Sequence, residues 1–90
     1  MNREEQFKRN NDLFKLFMEQ TLSVPEFSEG IPEDSELIFL PEYDPELYRA
    51  NLDLARQAQA EDKRVIHVKV GLIREVRTVF VPKMELVKPI

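Results

Sequence analysis

The sequence predicts one small α/β domain spanning residues 1–90, a two-layer sandwich with α+β character at its C-terminus. Three observations carry this prediction. An apolar run, Glu36 to Pro41, is followed by a helical pattern that opens at Asp44-Pro45-Glu46 and lasts to about Glu61. A second strand-like run, Lys63 to Val70, comes directly after it. A strand, a helix and a strand in this length make a β-α-β unit with two parallel strands and a right-handed crossover.

The first element is a long amphipathic helix over residues 3–22. At about 100° per residue, Phe7, Phe14, Phe17, Met18 and Thr21 share one side, which is therefore expected to face the core. Leu13, Leu16 and Leu22 widen the stripe, and Glu4 and Glu5 suit the positive end of the helix dipole. Ser23-Val24-Pro25 ends it, because a residue before proline avoids the α region. Pro25 to Gly30 reads as one further helical turn, and Ile31 to Ser35 as a turn with Pro32 presetting its φ.

The strand Leu37 to Leu40 is apolar at every position, the pattern of a central strand buried on both faces. The second strand alternates, with Ile66, Val68 and Val70 against Val65, His67 and Lys69, and is expected to be half-buried. Gly71 to Glu75 is too short for another crossover, so Val76 to Val81 should return antiparallel as a hairpin. The tail from Pro82 alternates Met84 and Leu86 against Glu85 and Val87, which fits an edge strand or an arm.

Composition narrows the function. The net charge is −4, from 17 acidic and 13 basic side chains that are mixed along the chain. That opposes a dedicated nucleic-acid binder, which usually carries a basic stripe. The absence of cysteine removes disulfides, thiolate metal sites and thiol nucleophiles, and it suits a reducing cytoplasm. The charged N-terminus is no signal peptide, and no apolar run approaches the ~20 residues that span a bilayer.

No catalytic, cofactor or metal motif is present, so none of these roles is expected. Two places hold candidate ligand-binding residues. Glu42, Tyr43 and Asp44 lie in the loop after the first strand, where ligands of open α/β sheets bind, and they suit a cation. The structural alternative is an N-cap by Asp44, a first helical residue in Pro45 and a dipole contact from Glu46. Asn51 falls among Leu47, Leu54, Ala55 and Ala58 on the core side of its helix. It must either bond to backbone, Asn10 or Asn11 in a structural network, or line a small polar pocket. His67, the single histidine, reads as a half-exposed strand residue. The six phenylalanines read as core.

Several of these segments together resemble a known family. They are Asn10-Asn11-Asp12-Leu13-Phe14, Pro25-Glu26-Phe27, Phe39-Leu40-Pro41, Asp44-Pro45-Glu46-Leu47 and Asn51-Leu52. The chain is similar over residues from about 10 to 70 to a family of small uncharacterised prokaryotic proteins, catalogued as a domain of unknown function. The resemblance implies a small cytoplasmic α/β protein and carries over no activity or catalytic residue.

Three functional classes follow from the sequence. The first is a non-enzymatic interaction or regulatory module, either a homodimer or the small acidic partner of another protein, since an open apolar sheet edge seeks another chain. The second is a ligand-binding protein or small enzyme using Glu42, Tyr43, Asp44 and Asn51. The third is a weak nucleic-acid binder using Arg74 to Lys88.

Overall fold

The computed structural model describes residues 1–74 and 80–87, without the side chains of residues 73, 74, 80 and 81. Helix α1 spans Arg3–Ser23, followed by a single 3₁₀ turn at Pro25–Ser28. Strand β1 covers Ser35–Pro41, helix α2 Pro45–Ala60, strand β2 Arg64–Arg74 and strand β3 Phe80–Val87. The sheet order is β1-β2-β3, with β1 parallel and β3 antiparallel to β2. The predicted α/β class, β-α-β unit and antiparallel third strand are all present.

Local chemistry sets the element ends. Asn2 caps α1, its Oδ1 accepting the Glu5 N–H at 2.8 Å. Asp44 caps α2 in the same way, accepting the Leu47 N–H at 3.2 Å, with Pro45 behind it. At its other end α2 closes in a Schellman motif. The Lys63 N–H reaches the Ala58 carbonyl and the Asp62 N–H the Gln59 carbonyl, both at 3.0 Å. Asp62 occupies the left-handed position, φ 60°, where glycine is usual.

The core lies on both faces of β1. On one face Leu13 and Phe17 of α1 meet Phe39, Val68, Val70 and Met84. The Phe17 ring lies 5.9 Å from Phe39 and 5.6 Å from Phe27, centroid to centroid. On the other face Ala55 and Ala58 of α2 pack on Ile38, Leu40 and Val65. The molecule is thus two layers deep over β2 and β3, and α2 adds a third over β1. Lys69, Lys83 and Glu85 are exposed on the α2 side beyond it.

Several expectations are corrected. β1 is an edge strand, not a central one. Its apolar character comes from a helix on each face rather than a strand on each side. The core face of α1 is Leu13 and Phe17, while Phe7, Phe14 and Met18 turn outward. Phe7 is 75 % exposed and Leu22 80 %, so these residues are not core. Leu54, placed on the core side of α2 by its spacing, is also exposed. Gly71 to Arg74 continue β2 instead of forming a connection. Residues 75–79, most of the expected third strand, and residues 88–90 lie outside the described residues, as does the Phe80 side chain. Met84 and Leu86 face inward and Glu85 and Val87 outward, as their alternation predicts. Among the described residues no helix is long and apolar enough to cross a membrane.

Candidate functional site

The loop at the carboxyl end of β1 places its charged groups against internal partners. Glu42 pairs with Lys69 at 3.1 Å. Arg9 of α1 donates from Nη1 to both Asp44 oxygens at 3.2 Å, reaches Glu46 at 3.3 Å and bonds Glu5 from Nε at 3.0 Å. One guanidinium therefore gathers three carboxylates and ties α1 to the start of α2. The hydrogen bond that Arg9 donates to Glu5 is the main cause raising the Arg9 pKa above its ordinary value. Tyr43 is half-exposed, and its phenol is raised by burial first and by the Asp44 charge second.

Asn51 is 2 % exposed and its amide is filled from within the chain. Nδ2 donates to the Phe39 carbonyl at 2.7 Å and to Asn10 Oδ1 at 2.8 Å. Oδ1 accepts from Asn10 Nδ2 and from Gln6 Nε2, each at 3.0 Å. All four hydrogen-bonding positions of the amide are used, as a buried side chain requires. Asn10 joins this network and Asn11, exposed, does not.

The four predicted site residues do not converge. Glu42 borders a shallow depression with Pro45, Tyr48, Arg49 and Leu52. Asn51 instead lies beneath a groove of about 310 Å³ between α1 and α2, walled by Phe7, Asn11 and Phe14 on one side and Leu54 on the other. Its floor is β1 at Leu37 to Phe39. Sequence reasoning missed this groove, since neither Leu54 nor Phe7 was expected at the surface. It also missed Arg9 and Gln6. The Glu5–Arg9 spacing of four was readable as a helical pair, but nothing local signals the reach to Asp44.

His67 is half-buried on β2 beside Ile38 and Val87. Among the described residues no group of three His, Asp or Glu side chains could hold a metal. Of the C-terminal cations, Lys83 pairs with Glu85 at 3.3 Å, and Arg77 and Lys88 fall outside the described residues.

A β-α-β unit with an antiparallel third strand and an N-terminal helix defines the fold class. The model of a family of unknown function, DUF5647, matches residues 5–83, and the chain belongs to that family. No curated protein and no solved structure matches it.

Proposed function

We propose that this protein is a non-enzymatic interaction module of the cytoplasm that works as a homodimer joined through the outer face of α1. One observation carries the reading. Phe7, Phe14, Met18 and Leu22 form an exposed apolar stripe along three successive turns and more of one helix. Such a stripe in water is the mark of a contact surface.

Charge supports a second copy as the occupant. Lys8, Asp12, Lys15 and Glu19 alternate in sign along one flank of the stripe, and all are exposed. None is in an ion pair with another described residue. Lys8 and Glu19 lie symmetrically about the step from Leu13 to Phe14, and so do Asp12 and Lys15. A two-fold axis at that step sets every one of these charges opposite its complement, which is the isologous arrangement of a C2 dimer. The filled Asn51 amide and the engaged Asp44 and Glu42 carboxylates favour this reading over a small-ligand site.

The double substitution Met18→Glu, Leu22→Glu places two carboxylates on the stripe without touching the buried Leu13 and Phe17. The expected result is a folded monomer by light scattering with an unchanged helical spectrum. A dimer that survives both carboxylates contradicts the assignment of this face.

A further inference from the structure

β1 is an edge strand, and an open edge presents backbone donors and acceptors to any chain that can reach it. The chain closes part of this edge itself. The Glu42 N–H bonds the Val70 carbonyl of β2, so the alternate residues Leu40, Ile38 and Glu36 also direct their backbone groups to β2. Ser35, Leu37, Phe39 and Pro41 direct theirs outward. The Ser35 N–H is taken by the Pro32 carbonyl and the Pro41 carbonyl by the Asp44 N–H. Pro41 has no N–H to leave open. The Phe39 carbonyl is taken by Asn51. There remain the C=O of Ser35 at the start of the strand and, further along, the N–H and C=O of Leu37 and the N–H of Phe39, none with a partner among the described residues on that side. The last three lie together at Leu37 to Phe39.

That window is the floor of the groove between α1 and α2. The geometry points to a strand-addition site: an extended, uncharged peptide segment of a partner protein lies along Leu37 to Phe39 and closes three backbone hydrogen bonds. Its alternate side chains meet Phe7 and Phe14 on one wall and Leu54 on the other. Shape selects this occupant. The floor is recessed between two helices, so two copies cannot bring their β1 edges together without their walls colliding. A folded partner needs ~800 Å² of contact, whereas a groove of about 310 Å³ admits a few residues of one strand. Charge agrees, because the groove is lined by apolar residues and asparagines alone. Asn51 acts here as a positioning residue, since it closes the Phe39 carbonyl and stops the added ladder at that point.

This site shares Phe7 and Phe14 with the dimer face, and the experiment separates the two through residues that belong to one alone, Leu54 to the groove and Met18 and Leu22 to the dimer stripe. The probe is a capped, uncharged heptapeptide, Ser-Thr-Val-Thr-Val-Thr-Ser, added to the whole ¹⁵N-labelled protein. Two further peptides carry N-methyl groups, one on its valines and one on its threonines. The Leu37 and Phe39 amides are expected to shift, and to exchange roughly tenfold more slowly at peptide ten times its dissociation constant. One of the two N-methylated peptides should lose binding, because one set of N–H groups faces the edge. Leu54→Lys should abolish the shifts and leave the solution mass unchanged. Met18→Glu, Leu22→Glu should change the mass and leave the shifts. Unshifted Leu37 and Phe39 amides at millimolar peptide, or equal binding by all three peptides, would overturn the proposal.

Discussion

Asn51 is the residue on which the packing of the two helices turns. It joins the Phe39 carbonyl of β1, Asn10 and Gln6 of α1, and its own helix α2. Asn51→Ala leaves a buried carbonyl and a buried amide without partners, and the expected loss is about 2 kcal/mol or more. Asn51→Leu keeps the number of side-chain heavy atoms, adds the bulk of two methyl groups and loses the same bonds, so it should be destabilised too. Urea unfolding with an unchanged slope checks both, and a leucine variant as stable as the parent contradicts the network. Much of this was legible. The polar residue among Leu47, Ala55 and Ala58 announced a buried amide, and Asn10 lay within reach of it. Gln6 did not stand out, because an exposed helical glutamine and one that reaches a neighbouring helix look alike in sequence.

At the scale of elements, α1 and β1 show why periodicity stops short of the answer. α1 carries apolar residues over a wide arc. Only the part bearing Leu13 and Phe17 meets the sheet, and nothing in the helix alone selects it over the part bearing Phe7 and Phe14. β1 read as central because it is apolar throughout, yet two helices produce the same pattern at an edge. Alternation in β2 and in Met84 to Val87 was legible, since one face of each is wet. The Schellman end of α2 offers a test at this scale. Asp62 holds a left-handed conformation that disfavours side chains by roughly 1–2 kcal/mol, less for aspartate. Asp62→Gly should therefore raise stability by up to about 1 kcal/mol. A higher thermal midpoint checks this, and a lower one indicates that the Asp62 side chain stabilises the turn in another way.

The whole molecule answers to pH from the alkaline side. Hydrogen bonds to Glu61, then Glu36, raise the Lys63 amine above its ordinary 10.5, and Glu42 does the same for Lys69. Burial raises the Tyr43 phenol above 10.0. Each group holds its proton more tightly folded than unfolded. Its contribution is thus fully present below the ordinary value and is lost as pH rises through the folded one. The thermal midpoint is expected to stay level from neutral pH to about pH 9 and to fall beyond it. Salt should blunt the lysine part, since both amines are at the surface, and Tyr43→Phe should remove the tyrosine part. A midpoint that climbs above pH 10.5 contradicts these pairings.

Function was the least legible property of the sequence, because a contact surface has no motif. The most direct measurement is the solution mass of the intact protein across a dilution series, by light scattering after size exclusion. A homodimer has the mass of two chains, and that mass persists on dilution until a single step down to one. A protein with the mass of one chain at every concentration, its α1 stripe still exposed, contradicts it.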